Sequence, residues 1–323
     1  MSPPWRYVWA LALAIALVIV GGWEWLARGA GLGPEYTDNR SLWADARHRL
    51  NQHGSDAIAL LGASRIQYAV DVDAMSNELG RPVVQLGVEG TSALALLENL
   101  AADPRFTGTV IYSVAPAFTF NRILPRIQNG KQREWVIYYR QQSRSRRMEQ
   151  SMRLFLQGRL AFRSPDASLK RILPALFESA ALPGPDHKFT FRNRVITLDY
   201  SRVPPDYNEL GMVQFYLDNS IPYEAAEFEV ILNYVNTMVQ ALKDKGAEVV
   251  FLRLPSSNEV YALESVFYPK THYWNLMQER IDARFIHADD YPQMAGFVGG
   301  DGSHIGTEHL SEFTKVLVDI LRH

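Results

Sequence analysis

AIALLGASR, residues 57–65, is the stretch that decides the fold of this chain. Ala57 to Leu61 is a short apolar run of the kind that forms a buried strand, and Gly62 ends it. Ser64 is therefore expected just past the end of a strand. In parallel α/β sheets, ligands bind outside the carboxyl ends of the strands. This position makes Ser64 a candidate functional residue.

A pattern of alternating strands and helices is predicted both before and after a long insertion. Further strands are predicted at 83–86, 109–114, 248–254 and 284–287. Helices are predicted at 41–52, 92–101, 223–245, 273–282 and 308–321. Strands that alternate with helices indicate a mostly parallel sheet covered by helices on both faces. We therefore expect an α/β fold of the three-layer α/β/α sandwich type.

Composition excludes several classes of function. The 323 residues include no cysteine, so disulfides, cysteine zinc sites and a thiol nucleophile are excluded. The chain has no Gly-rich phosphate loop and no dinucleotide fingerprint, and its histidines lack metal-ligand spacing, so we predict neither a cofactor nor a metal. The formal net charge of -2 does not favour nucleic acid as a partner.

The first thirty residues predict a transmembrane helix at 5–26. Val8 to Gly22 carries no charge, and tryptophans flank the run at both ends, where aromatic rings favour the lipid headgroup layer. A cleaved signal peptide is the alternative, but no convincing A-x-A cleavage site precedes the folded region, which favours an uncleaved anchor.

The orientation of this helix depends on its short flanks. Arg6 and the terminal amine oppose Arg28 and Arg40, and the very short N-terminal tail favours an N-terminus inside. We therefore expect a single-pass protein of the cytoplasmic (inner) membrane, with its main domain, 40–323, extracytoplasmic or periplasmic.

An insertion at about 121–220 interrupts the strand and helix pattern. Between Arg122 and Arg171 there are thirteen basic and three acidic residues. Such a run is typical of a solvated helical face. A surface that faces anionic lipid or anionic glycan is the alternative, and the neighbouring membrane anchor favours it.

A second motif, DGSH at 301–304, lies just before the last predicted helix. A serine hydroxyl becomes a nucleophile when an imidazole takes its proton, and a carboxylate must orient that imidazole. The first strand and the last helix of a doubly wound sheet place Ser64 near Asp301 and His304. We therefore predict a catalytic triad of Ser64, His304 and Asp301. Arg65 and Arg253 are expected to be ion-pair partners rather than substrate ligands.

Three segments together resemble a known superfamily. They are GASR at 62–65, VQLGVEGT at 84–91 and DGSH at 301–304. These are similar to blocks I, II and V of the SGNH (GDSL-type) hydrolases. The resemblance covers roughly 57–114 and 248–321 and leaves out the anchor and the insertion. It implies that Ser64 is the nucleophile and that Asp301 and His304 complete the triad.

The resemblance also implies an oxyanion hole. Its donors would be the backbone N–H groups of Ser64 and Gly90 and a block III asparagine side chain. The asparagine motif is missing, because the chain reads YSVAP at 112–116, where the third strand ends, and Asn121 lies several residues too late. Ser113 or another loop is left to complete the hole. This departure leaves open a catalytically degenerate domain that binds glycan or a membrane acyltransferase.

The resemblance implies an O-acyltransferase or carbohydrate esterase, with acetyl as the simplest acyl group. Single-pass members of the superfamily act beside a multi-pass acyltransferase in O-acetylation of exopolysaccharides or D-alanylation of teichoic acids. The expected substrate is a cell-envelope polysaccharide or another glycan, the expected partner is a multi-pass membrane acyltransferase, and nucleic acid is not expected.

Overall fold

The structure is a computed structural model that describes residues 4–122, 124–177, 184–203 and 209–323. Its strands are β1 (Ile58–Leu61), β2 (Val83–Gln85), β3 (Thr109–Ser113), β4 (Lys188–Thr190), β5 (Ile196–Leu198), β6 (Glu248–Arg253) and β7 (Arg284–His287). Each of the five strands predicted from the sequence is present, with bounds within one residue of the prediction. Residues 123, 178–183 and 204–208 of the predicted insertion lie outside the described residues.

Helices precede, separate and follow the strands. They are α1 (Trp5–Gly29), α2 (Arg40–His53), α3 (Ser64–Ala69), α4 (Val72–Leu79), α5 (Leu94–Ala101), α6 (Pro116–Thr119), α7 (Leu124–Arg140), α8 (Arg144–Gln157), α9 (Leu169–Phe177), α10 (Glu209–Asn219), α11 (Ala225–Lys243), α12 (Asn258–Phe267), α13 (Trp274–Arg280) and α14 (Leu310–Arg322). The five helices predicted in the main domain outside the insertion correspond to α2, α5, α11, α13 and α14.

Five strands form one parallel sheet in the order β2-β1-β3-β6-β7. Alternate residues of β1 face opposite sides of it. Ala59 and Leu61 pack against α2, α5 and α11, whereas Ile58 and Leu60 pack against α3, α4 and α14. With helices on both faces the fold is α/β, as predicted, and all five carboxyl ends meet at one edge.

The chain divides into two compact units. Asp38–Ser143 and Asn193–His323 form the unit that holds the parallel sheet, and Met1–Thr37 and Arg144–Arg192 form the other. In the second unit, α1 is long and apolar enough to cross a membrane, with 6% of its apolar window buried. The prediction of an N-terminal helix that is long and apolar enough to span a membrane is confirmed.

Candidate active site

A tight turn brings Ser64 to the sheet edge. The chain leaves β1 through Gly62, whose φ of 152° is rarely adopted by residues with a side chain. A Cβ at Gly62 would lie 2.8 Å from Ser113 Cβ and 2.9 Å from Ile66 Cγ2. Ser64 follows as the first residue of α3 and is half-buried. Only glycine fits this turn without displacing its neighbours.

The loop before α14 holds Asp301 and His304 in a fixed turn. The Oδ1 atom of Asp301 accepts the backbone N–H groups of Ser303 and His304, both at 2.9 Å. The loop is further tied by a backbone hydrogen bond of 2.8 Å from Gly299 N–H to the His304 carbonyl. Both side chains of the pair are buried, with Asp301 3% and His304 9% exposed.

These two loops meet in a continuous hydrogen-bonded relay. His304 Nδ1 lies 2.7 Å from Asp301 Oδ2, and His304 Nε2 lies 2.8 Å from Ser64 Oγ. Because an ionised carboxylate only accepts, Nδ1 carries the proton in this arrangement and Nε2 is left to accept from the serine hydroxyl. The three residues predicted as a triad are therefore brought together, across 240 positions of sequence.

The electrostatics keep the Asp301 carboxyl group ionised. Burial alone raises its pKa, but the hydrogen bond and charge of His304 and the two backbone N–H groups outweigh burial and lower it. On the other side of the imidazole, the Tyr68 ring packs with its centroid 4.6 Å away. Asp301 and Tyr68 together restrict the orientation of His304.

Gly90, the predicted oxyanion donor, lies in the turn after β2 with a φ of 69°. A side chain there would meet no atom within 4 Å, so the position is open. Its backbone N–H has no acceptor among the residues that the structure describes. The Ser64 N–H, at the first position of a helix, likewise has no intrahelical partner. Both groups are available as donors at the same edge of the sheet.

Arg194, which was not predicted as a site residue, holds the loop that leads to Gly90. Its side chain is fully buried, and its two Nη atoms donate to the carbonyls of Gln85 and Gly87 at 3.0 and 2.8 Å. Asp38 pairs with the same guanidinium, with an Nε to Oδ1 distance of 2.8 Å. Arg194 has a φ of 68°, an uncommon backbone conformation for arginine. No periodicity marks such a residue in the sequence.

The structure does not identify either Asn121 or Ser113 as the third donor of the oxyanion hole. Asn121 is fully buried, and its Nδ2 donates to the Asn219 carbonyl. Ser113 ends β3 against Gly62, and its buried Oγ has no hydrogen-bond partner among the described residues. The Asn121 amide is therefore already used as a donor to Asn219, whereas the Ser113 hydroxyl at the end of β3 has no partner among the described residues.

A buried ion cluster adjoins the relay. Arg65 Nη2 lies 2.8 Å from Glu264 Oε1, and Arg253 also pairs with Glu264, so the expectation of ion-pair roles for both arginines is confirmed. Tyr216 and Ser256 donate to the same carboxylate. Arg65 Nε in turn donates to Ser303 Oγ at 3.0 Å.

Glu264 was missed in the sequence. The signal was an acid four residues after Val260, on the buried side of α12. Burial alone raises the pKa of Glu264, but Arg253 and Arg65 outweigh burial and lower it to about 2. The same carboxylate raises the pKa of Arg65 against the effect of burial. All three groups are charged at neutral pH.

Within the described ranges, no group of three or more His, Asp or Glu side chains has the geometry to hold a metal. The comparisons with known proteins add no family. No protein-family model matches the chain. No curated protein matches its sequence.

Proposed function

We propose that this chain is a membrane-anchored serine enzyme of the SGNH type that transfers or hydrolyses an O-acyl group, acetyl in the simplest case, on a cell-envelope polysaccharide. The observation that carries the proposal is the relay from Asp301 through His304 to Ser64, at the carboxyl edge of a parallel sheet. The motifs at 62–65, 84–91 and 301–304 support the assignment to this superfamily and to its three-layer sandwich.

The proposed mechanism is a double displacement. Ser64 Oγ attacks the acyl carbonyl while His304 Nε2 takes the hydroxyl proton, and the N–H groups of Ser64 and Gly90 stabilise the oxyanion. The donor oxygen leaves with the proton from His304, which yields acyl-Ser64. A sugar hydroxyl or water then gives its proton to His304 and attacks the acyl carbon, which releases Ser64. Asp301 stabilises the imidazolium at both steps.

In this proposal α1 is an uncleaved anchor with its N-terminus in the cytoplasm, and the catalytic domain is extracytoplasmic or periplasmic. The length and apolar composition of α1 support a membrane-spanning helix. An acyl donor on the outer side of the membrane would have to be supplied by another protein, such as a multi-pass acyltransferase. That requirement favours a membrane partner for the transfer reaction.

A degenerate domain that binds glycan or an acyltransferase is the second candidate. The observation that favours it is the chain after β3, where Val114, Ala115 and Pro116 replace the block III asparagine motif. Loss of one oxyanion donor costs about 3–4 kcal/mol of transition-state stabilisation, which slows a reaction without abolishing it.

Labelling with a fluorophosphonate serine probe separates an active enzyme from a binding domain. The full chain in detergent should be labelled, and the Ser64→Ala and His304→Ala variants should not be. Ser311→Ala is the matched control, because Ser311 is an exposed serine of α14 and is not a member of the relay. Equal labelling of wild type and Ser64→Ala would refute the proposed chemistry.

The dependence of turnover on an acceptor polysaccharide distinguishes a transferase from an esterase. An esterase releases acetate from a small activated ester at a rate that added glycan does not change. A transferase turns over efficiently only when an acceptor polysaccharide is present, and the acyl group appears on the sugar. Mass spectrometry of the glycan and of the Ser64 peptide distinguishes the two.

A further inference from the structure

Helix α8, in the same compact unit as α1, presents two opposite faces. Its buried face consists of Gln150, Leu154 and Gln157. Four large apolar side chains, 44% to 64% exposed, form the apolar stripe: Met148, Met152, Phe155 and Leu156. At about 100° per residue, the mean direction of the stripe lies opposite the buried face. The stripe therefore points away from the body of its own unit.

Arginines flank this stripe on both sides. Helix α8 contains four arginines and one glutamate, Glu149, which pairs with Arg153. Arg144, Arg146 and Arg147 are exposed and lie in the first turn, which itself contains no acidic residue. Positive charge near a helix N-terminus opposes the helix dipole and destabilises an isolated helix. An external anion would compensate this arrangement.

Contacts at the end of α1 connect the region after α8 to the membrane helix. The Glu24 carboxylate accepts the backbone N–H groups of Ala161 and Phe162, at 3.1 and 3.0 Å. Arg28 Nη2 donates to the Arg159 carbonyl at 3.1 Å. Since Glu24 and Arg28 follow the uncharged run of α1, these contacts hold the segment just after α8 at the level where α1 leaves a bilayer.

A second helix of this unit shows a similar exposed surface. On α9, Leu173 is 41% and Phe177 is 85% exposed, and they are four residues apart on one face. Lys170 is exposed beside them. Exposed apolar side chains bordered by basic residues are typical of helices that lie in the plane of a membrane interface.

We propose that the apolar stripe of α8 docks on the surface of a bilayer that contains anionic lipid, with Arg144, Arg146 and Arg147 on the headgroups. This surface is a second membrane contact beside the span of α1. Two observations favour a bilayer over other occupants: the stripe is bordered by arginines, and the segment directly after its helix is bonded to the end of α1. The proposal rests on the anchoring part of the proposed function and does not depend on the chemistry of Ser64.

The absence of native cysteine allows a direct test with single-cysteine variants of the full chain in nanodiscs. A fluorophore on Met152→Cys should be quenched by nitroxide-labelled lipid when the disc contains phosphatidylglycerol, and much less in pure phosphatidylcholine. Thr237→Cys, exposed on α11, is the control and should not be quenched. Met148→Cys is a second stripe position if the first variant folds poorly.

The contribution of the arginine charges to docking is tested with Arg144→Gln, Arg146→Gln and Arg147→Gln, each introduced into the Met152→Cys chain. Each substitution should lower the docking equilibrium about fivefold in phosphatidylglycerol discs. Quenching at position 152 no greater than at 237 would overturn the proposal. The proposal would also be overturned if quenching at position 152 depended neither on lipid charge nor on the three arginines. It would likewise be overturned if the fluorophore at position 152 were shielded only when an anionic polysaccharide is added.

Two measurements on the same samples distinguish a failure of α8 docking from a failure of the proposed function. Co-purification with the nanodisc reports whether α1 anchors the chain. Fluorophosphonate labelling reports whether Ser64 reacts. A chain that is anchored and labelled but shows no quenching at position 152 refutes only the docking of α8.

Discussion

Arg65 Nε donates to Ser303 Oγ over 3.0 Å, and this bond joins the two loops of the candidate active site. Arg65 directly follows Ser64, and Ser303 directly precedes His304. Glu264 holds the same guanidinium from another side, with an oxygen 2.8 Å from Arg65 Nη2. The buried ion cluster therefore helps to fix the distance between Ser64 and His304, in addition to their own hydrogen bond.

We expect Arg65→Lys to slow fluorophosphonate labelling of Ser64 by about 10- to 100-fold. Lysine has a single nitrogen and cannot bond Ser303 and Glu264 in the geometry of the two guanidinium nitrogens, and a displacement near 1 Å has an effect of that size. The rate of labelling at saturating probe measures this, and the thermal midpoint shows whether the fold is kept. Arg202→Lys, on a half-exposed surface arginine, is the control. An unchanged rate for Arg65→Lys would show that the ion cluster does not position the relay.

The stability of the protein should fall in acid, in part because of Glu264. Its folded-state pKa is about 2, against an ordinary value of 4.5, so the unfolded chain takes up the proton first as pH falls. The contribution of Glu264 is complete above pH 4.5 and is lost as the pH approaches 2. Asp301, whose pKa is also lowered, adds to the loss in the same direction.

Glu264→Gln isolates this contribution. Between about pH 6 and pH 3, the wild type should lose about 2 kcal/mol more free energy of unfolding than the variant, as measured by urea denaturation of the full chain in detergent. The variant should also be less stable at every pH, because it leaves Arg65 and Arg253 without their buried counter-ion. Glu279→Gln, exposed on α13, should follow the wild-type curve. Parallel curves for wild type and Glu264→Gln would contradict the assignment.

The strands and the relay were predictable for a common reason. Buried parallel strands are continuous apolar runs, and the carboxyl ends of such strands meet at one edge, so the positions of Ser64 and His304 in the chain already bring them close. Glu264 and Arg194 were not predictable in this way. Each acts through partners from distant parts of the chain, among them Arg65 for Glu264 and Asp38 for Arg194, and no local period encodes such pairings.

Gly62→Ala should disrupt both the fold and the relay. The added Cβ would meet Ser113 Cβ at 2.8 Å, and the backbone would hold alanine at a φ of 152°. Overpacking and backbone strain together should cost about 2–4 kcal/mol of unfolding free energy. Thermal denaturation checks this, and Gly33→Ala, where no atom lies within 4 Å, should be neutral. A neutral Gly62→Ala would mean that the turn before Ser64 is looser than the structure indicates.

Asp301→Asn should abolish most of the reactivity of Ser64 while keeping the loop in place. The asparagine oxygen can still accept the backbone N–H groups of Ser303 and His304. Its amide then donates to His304 Nδ1, which forces the proton onto Nε2, so that Nε2 no longer accepts from Ser64. We expect a loss of about 10³- to 10⁴-fold in the rate of acylation. Adding His304→Ala should lower the rate little further, and a large additional loss would argue that Asp301 and His304 do not act as one unit.

Arg194 anchors the loop of the proposed oxyanion donor. Arg194 holds the carbonyls of Gln85 and Gly87, three to five residues before Gly90. Lysine at position 194 cannot bond two carbonyls and the Asp38 carboxylate in the same geometry. We therefore expect Arg194→Lys to raise amide hydrogen exchange in residues 86–92 and to slow acylation of Ser64 by about 10- to 100-fold, because a misplaced oxyanion donor loses its stabilising effect.

Exchange in the loop at 299–306 is the internal control for Arg194→Lys, since the bonds of Asp301 to Ser303 and His304 do not involve Arg194. Hydrogen exchange followed by mass spectrometry reports both loops in one experiment. If acylation slows while exchange at 86–92 is unchanged, the effect does not pass through the Gly90 loop. If exchange rises and acylation is unaffected, the Gly90 N–H is not a donor to the oxyanion. The hole must then be built from Ser64 and a group such as the Ser113 hydroxyl, which is unpaired among the described residues.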